Sequence, residues 1–381
     1  MAVKLGNGNW AVKEDKLLAY NDNSGRFFNK EFDFARGSSA TYVGKDGLIK
    51  SAASDVPRID FSDSTNGALL LEPQSTNLIP YSEALTSGDW GVSVGTTPTL
   101  ESGYLAPDGT NNAFKISNAN QDSAWLYPFV VLGTSSRSIY ARTVSGTGTA
   151  QLLSHNSNTN NTFNITEQWQ RFDVDTANST GSTFFYAVDF RGSGTLNEII
   201  LWGANATNDQ NFATSYIPTS GSATTRLADV CNNSGSAQDF NSEEGVLYAE
   251  IAALANDGTS RRISLSDGSI DNRVSLEIDE TANKIKAFIS SGGVHQVLEH
   301  TATDLTQNNK IAIKYKLNDT SIWLNGSEVV TDTSVNMPIG LDRLNFDSGG
   351  FNSAKFFGKT KDLQVFTEAK SDEFLAALTT I

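Results

Sequence analysis

The stretch KIAIKYKLNDTSIWLNGSEVVTD, residues 310–332, decides the fold class. Ile311, Ile313, Tyr315 and Leu317 recur at every second position, with small or polar residues between them. That period of two puts one row of side chains on each face of a strand. Asn318-Asp319 then turns the chain, and Ser321, Ile322, Trp323 and Leu324 form the next strand. Asn325-Gly326 follows, a pair that tolerates positive φ at both positions and is the strongest short hairpin signal.

Working outward, similar pieces fill both flanks. GVLYAEIAAL, RRISLSD, RVSLEID, KIKAFISS, VHQVLEH and DLQVFTEA make residues 230–381 a β-sandwich. SDEFLAALTTI at 371–381 reads as a short closing helix, with Ser371 as its cap and Asp372 and Glu373 where the helix dipole favours acids. Residues 76–229 hold a second set of strands: AFKIS, AWLYPFVV, RSIYARTV, AQLLS, QRFDVDT, TFFYAVDF and EIILWGANAT. Seven short strands with polar turns between them predict another sandwich or jelly roll. Residues 1–75 carry only short apolar pieces, including KLLAY, FFNKEFDFAR and ALLLE, with Asp46-Gly47 as a hairpin turn. None of them builds a core alone, so they are expected to pack on a neighbouring domain or another chain. The expected architecture is all-β: an N-terminal attachment segment (1–75), two antiparallel β-sandwich (jelly-roll) domains (76–229 and 230–381) and a short C-terminal helix.

Composition agrees. Of 381 residues, 38% are hydrophobic and 19% charged, against about 45–50% and about 25% in an average globular domain. Aromatic residues still reach 10%, which a disordered chain would lack. The net charge of -15 repels phosphate, which argues against nucleic acid and against anionic membrane surfaces. No apolar run is long enough to insert in a membrane. The first 20 residues lack the apolar stretch of a signal peptide, so folding in a cytoplasm is expected. A lone cysteine, Cys231, excludes an internal disulfide framework.

Three segments resemble bacteriophage virion proteins of the head-fibre, capsid-decoration and tail-associated adhesin type. They are FDFARGSSATYVGKDGLIKSAASDVPRIDF at 32–61, GALLLEPQSTNLIPYSEAL at 67–85 and TSYIPTSGSATTRLAD at 214–229. Between them, Trp90, AWLYPF and EQWQRFDV resemble carbohydrate-binding-module jelly rolls. KYKLNDTSIWLNGSEV and FFGKTKDLQVF resemble concanavalin A-like (laminin-G-like) sandwiches. The resemblance implies a structural virion protein assembled in the host cytoplasm, without enzymatic activity. It implies capsid or tail proteins as partners, a homo-oligomer (a trimer is common in such fibres) and a host surface glycan as ligand. Trp10, Phe32 and Phe34 are then the candidate virion-attachment residues.

Sugars present apolar faces and rings of hydroxyls, which aromatic planes with polar neighbours match. Trp125 and Tyr127 share one face of a strand, as do Phe184 and Tyr186 on another, and Trp90 follows a Gly88-Asp89 loop. These five are the candidate glycan-binding residues, one row expected in the core and one on the surface. Trp169, Trp202 and Trp323 read as core. An enzyme-like alternative, a polysaccharide depolymerase, rests on Glu277 and Asp279 in EIDE, but Thr281 and Ala282 stand where a second glutamate would fall. A third reading is purely architectural, with no ligand. His295 and His300, five residues apart, face opposite sides of one strand, and no cofactor is indicated. The acid-rich turns at 256–260, 266–272 and 347–352 offer oxygen ligands suited to calcium. None has EF-hand spacing, and ordinary turn chemistry is the simpler account.

Overall fold

The computed structural model describes residues 3–6, 10–20, 29–88, 90–92, 95–127, 135–153, 161–177, 186–192 and 194–381. The chain is built almost entirely of antiparallel strands, with one helix among the described residues, Asp372–Thr379.

The alternation that opened the sequence reading is realised. Asn309–Lys316 and Thr320–Leu324 pair in register Ile311↔Leu324 and Ile313↔Ile322, and Ser327–Asp332 follows. Asn325 and Gly326 both have positive φ, 50° and 90°, as their hairpin requires. Leu317 departs from the expected row. The strand ends at Lys316, and Leu317 is exposed where the chain turns into Asn318 at φ 60°. Ser371 caps the helix: its side chain accepts from the Phe374 amide. Leu375 is buried against Val246, Tyr248, Ala312, Trp323 and Phe366 on the outer face of the sheet.

The first sandwich stacks two five-stranded sheets. One has the order Gly91–Val92, Ala124–Tyr127, Tyr186–Asp189, Gly148–Leu152, Thr162–Ile165. The other runs Thr99–Tyr104, Ala113–Ser117, Glu198–Thr207, Ser135–Arg142, Gln170–Ala177. Ile116, Ile139, Leu201, Leu152 and Val188 meet between them.

The second sandwich packs a five-stranded sheet (Val294–Thr301, Lys284–Ser291, Arg273–Ile278, Arg261–Ser266, Arg343–Asn345) on an eleven-stranded one. Much of segment 1–75 belongs to the larger sheet, so its short strands pack on a neighbouring domain. Gly358–Phe366 pairs on one side with Glu244–Ala253. Its other side is covered end to end by two pieces of the N-terminal segment. Leu69–Leu71 lie opposite 358–360, and Val3–Gly6 lie opposite 362–365. Asp33–Ala35 pairs with Val230–Asn232. The physical reason is the unpaired edge: a long edge strand with buried residues needs a partner for its N–H and C=O groups. Val3 and Leu5 have no exposed surface and join the same core as Leu247, Ile313 and Val365. The hairpin Ala40–Val43/Ile49–Ala52 instead leans on the first sandwich, where Ile49 meets Ile200, Trp202 and Tyr216.

A buried ion network ties the pieces where the chain leaves and re-enters the second sandwich. Asp229 accepts from Arg36 (3.1 Å) and Arg58 (2.6 Å), and also from the Glu72 amide (2.8 Å). Glu72 accepts from Arg58 (2.5 Å), Arg226 (2.7 Å) and the Ser215 hydroxyl (2.6 Å). All five charged side chains are at most 1% exposed. Burial works against the Glu72 anion, but Arg226 and Arg58 hold its carboxyl far below the ordinary carboxylate range. Every residue of the network comes from one of the three phage-like segments. Beside it, Ser75–Asn77 and Thr224–Arg226 pair with each other, so the ingoing and outgoing strands of the first sandwich are clasped together.

Candidate functional site

Trp169 and Arg171 lie at the start of Gln170–Ala177. Phe172 is buried and Asp173 exposed, so the alternation sends Phe172 inward and Trp169, Arg171 and Asp173 outward. Trp169 is half-buried. Its indole N–H donates to the Leu105 carbonyl (3.1 Å), and the Arg142 guanidinium lies 5.3 Å from its ring centre. Tyr140, on the neighbouring strand, is also half-buried, and Arg171 lies 5.8 Å from its ring. The Arg171 guanidinium donates to Ser138 Oγ (2.8 Å) and the Thr214 carbonyl (2.5 Å).

These side chains form one wall of a cleft of about 610 Å³. The hairpin 40–52 adds Tyr42, and the turn after Ile59–Asp60 adds Ser62 and Asp63. The second sandwich closes the far side with Leu254, Thr306 and Lys359. Lys359 donates to Ser62 Oγ (2.7 Å) and pairs with Asp63 and, at 3.4 Å, with Asp60. Burial opposes the Lys359 charge, yet the two aspartates raise its pKa above the ordinary lysine value. The result is a concave surface lined by aromatic rings together with a lysine–aspartate–serine cluster. It can accommodate a ligand with both apolar faces and hydroxyl groups.

The aromatic residues expected to bind glycans lie elsewhere. Trp90 and Trp125 are 8% exposed, Tyr127 is 3% and Tyr186 has none. Trp90 packs edge-on against Tyr127 and Tyr186, at 5.4 and 5.9 Å. The indoles of Trp90 and Trp125 donate to the Tyr81 and Leu85 carbonyls. The Tyr186 hydroxyl donates to the Ser138 carbonyl. These four rings therefore fill the first sandwich's core and leave no face to a sugar. Both rows point inward, because their strands lie in the same sheet and face the same partner sheet. Phe184 lies outside the described residues. Trp169, read as core, is placed at a cleft instead; the signal was its alternation with Phe172 and Val174. Trp202 and Trp323 are buried.

The attachment candidates pack on the second sandwich. Phe32 is 4% exposed and lies 5.7 Å from the Phe346 ring. Phe34 packs against the same core, as does Trp10, whose indole donates to the Lys361 carbonyl (3.0 Å).

Glu277 and Asp279 are tied by neighbouring cations. Glu277 accepts from Arg262 (3.0 Å) and Ser260. Asp279 pairs with Lys286. Burial works against its charge, but hydrogen bonds from Lys286 and Thr281 bring its pKa to about 2. Asp257, Asp267 and Asp347, in the three acid-rich turns, each accept from the amide two residues on. That is the ordinary Asx-turn pattern. Among the described residues, no group of three or more His, Cys, Asp or Glu is placed to hold a metal ion. His295 shares a hydrogen bond with Ser290 Oγ, and His155 lies outside the described residues. Cys231 is buried, which pushes its thiol pKa well up. No helix among the described residues is long and apolar enough to cross a membrane.

The class defined by this architecture is an all-β protein of two sandwiches. No family model and no curated protein matches the chain. Among solved structures, it is similar to the CBM40 module of the Ruminococcus gnavus IT-sialidase. The identity is 18% and the TM-score 0.34, over 39% of this chain and 94% of that one. It is also similar to the leech intramolecular trans-sialidase (17%, TM-score 0.33, 39% of this chain and 26% of that one). A third is domain 4 of a GH43 arabinanase from Geobacillus stearothermophilus (11%, TM-score 0.33, 45% of this chain and 84% of that one). These are partial likenesses, and they assign neither a ligand nor an activity to this chain.

Proposed function

We propose that the protein is a non-catalytic carbohydrate-binding subunit of a bacteriophage particle, and that it engages a host surface glycan through the Trp169 cleft. The observation that carries the binding part is the cleft itself, whose lining combines Trp169, Tyr140 and Tyr42 with Ser62, Asp63 and Lys359. Aromatic planes receive the apolar face of a sugar, while fixed charged and hydroxyl groups meet its hydroxyls. The virion part rests on the resemblance of segments 32–61, 67–85 and 214–229. Many copies on one particle would turn weak single contacts into firm adhesion.

The test is a glycan array probed with multimerised full-length protein, followed by host-cell binding. Trp169→Ala is expected to lower the glycan signal at least about tenfold, a loss in the range of a stacking or hot-spot contact. Because Trp169 also bonds Leu105 and packs beside Arg142, a thermal melt accompanies the assay and the variant is compared where it remains folded. Retention of full binding by Trp169→Ala would remove the cleft from the proposal. Detection of the protein in purified particles tests the virion part separately.

A further inference from the structure

The outer face of the second sandwich's five-stranded sheet carries a buried polar cluster unrelated to the Trp169 cleft. Period-two alternation puts Ile263, Leu265, Val274, Leu276, Ile285 and Ile289 into the core. Arg262, Ser264, Arg273, Ser275, Glu277 and Phe288 therefore face away from it. A solvated outer face would leave such residues exposed. Instead Ser264 and Ser275 have no exposed surface, and Arg273 and Glu277 have 3% each.

The segment Asp347–Ala354 covers them. Ser264 Oγ donates to the Asp347 carbonyl (2.8 Å), Ser266 Oγ to the Gly349 carbonyl (2.9 Å) and Arg273 to the Ser348 carbonyl (2.6 Å). Gly349 makes the approach feasible. Its φ is 91°, and a Cβ there would lie 2.8 Å from Ser266 Cβ.

Under this cover, four buried polar atoms have no hydrogen-bond partner among the described residues: Arg262 Nε, Arg273 Nε, Ser275 Oγ and Glu277 Oε2. They are close neighbours in the sheet. Arg262 lies opposite Glu277, and Ser275 lies opposite Phe288. Both guanidinium groups lie over the Phe288 ring, at 4.4 and 5.7 Å from its centre. Burial, with Arg262 beside it, lowers the Arg273 pKa to about 10. Unmade hydrogen bonds of buried groups are costly, and native proteins rarely leave several together.

The set of atoms specifies its complement. Two need an acceptor, one needs a donor and the serine takes either. An anion would satisfy the guanidinium groups but meet the free carboxylate oxygen of Glu277. A cation would satisfy Glu277 but meet two guanidinium groups. A hydroxyl donates and accepts at once, and Phe288 offers an apolar surface beside it. A cleft of about 530 Å³, lined by Ser260, Arg262, Asn352, Lys355 and Phe357, borders the cluster at Arg262. Ser260 and Arg262 are the two residues that hold the other oxygen of Glu277. We propose that this cluster, opened by displacement of the Asp347–Ala354 segment, forms with the neighbouring cleft a second saccharide site, specific for a neutral polyhydroxylated ring.

The test uses the full chain and saturation-transfer NMR. The probes are lactose, maltose and cellobiose, with N-acetylneuraminic acid as the anionic comparator. At least one neutral disaccharide is expected to receive transfer, and to keep it in Trp169→Ala. Ser275→Ala and Glu277→Gln should each weaken binding about fivefold or more, the value of one hydrogen bond. Ser275→Ala removes a single unpartnered oxygen and leaves the fold intact, so it remains informative if Glu277→Gln is unstable. Four results overturn the proposal: no neutral probe binds, binding is lost in Trp169→Ala but indifferent to Ser275→Ala, only the anionic probe binds, or a crystal soaked with the bound disaccharide shows ordered water alone at the four polar atoms. Because the Trp169 variant is a separate arm, failure here leaves the cleft reading standing, and the reverse also holds.

Discussion

The two sandwiches solve the same problem, burying one face of each sheet, with different amounts of chain. The first draws all its strands from residues 91–207, a continuous stretch. The second completes its larger sheet with strands from residues 3–71, although its other members begin only at Glu244. The difference teaches what segment 1–75 is for. Its short strands cannot fold alone, yet they supply the partner that Gly358–Phe366 would otherwise lack. The first sandwich behaves as an insertion whose two ends are clasped, and the ion network at that clasp joins it to the second.

The sharpest test of this contrast is the network itself. Glu72→Gln removes one of two carboxylates facing three buried arginines, so the loss of stability is expected to reach about 3–5 kcal/mol. In urea unfolding, both sandwiches should be affected, because residues of the network belong to both arms of the clasp. A loss below about 1 kcal/mol would mean that the joint holds without its charges. The stabilising effect of Glu72 also has a defined pH range. Its folded pKa is depressed from 4.5, so its contribution is complete above that value and is lost progressively as the pH falls below it.

Leu5→Ala should act on one sandwich alone. Leu5 is fully buried in the second sandwich's core, and a large-to-small change there costs about 2–5 kcal/mol. Hydrogen exchange is expected to quicken in Gly358–Phe366 while Glu198–Thr207 keeps its protection. Equal loss in both strands would break the distinction between a self-contained and a completed sandwich.

The smallest effect has the opposite pH sign. Asp362 is 3% exposed and faces Lys4, Glu250, Tyr248 and Gln364, with Gln364 donating to one oxygen. Burial raises its pKa from 3.8 to about 6, while Gln364 and Lys4 oppose the rise and Glu250 adds to it. The folded state therefore binds the proton more tightly than the unfolded chain. Asp362 contributes nothing unfavourable below about 3.8, and costs stability increasingly as the pH rises towards and through 6. Asp362→Asn should stabilise the second sandwich at pH 7 by on the order of 1–3 kcal/mol and flatten this part of its pH profile. A thermal melt at pH 5 and 7 checks both.

Much of the fold was legible in local patterns. The alternation at 311–315, the Asn325-Gly326 turn and the Ser371 cap each state their structure within a few residues. The destination of segment 1–75 was not legible, because Val3 and Leu5 alternate like any short strand and do not name their partner. The site was less legible still. Trp125, Tyr127 and Trp169 are all aromatic residues in or beside strands. Only the position of the facing sheet decides that the first two are enclosed and the third stands at a cleft.

By itself, the amino-acid order determined an all-β chain, the positions of most strands and turns, and the capped helix at 372–379. These follow from interactions between residues a few positions apart. Tertiary structure alone decided which strands share a sheet, that Arg36, Arg58, Glu72, Arg226 and Asp229 form one buried network, and where the Trp169 cleft and the buried polar atoms around Glu277 lie. Those features depend on contacts between residues far apart along the chain, and periodicity carries no record of such partners.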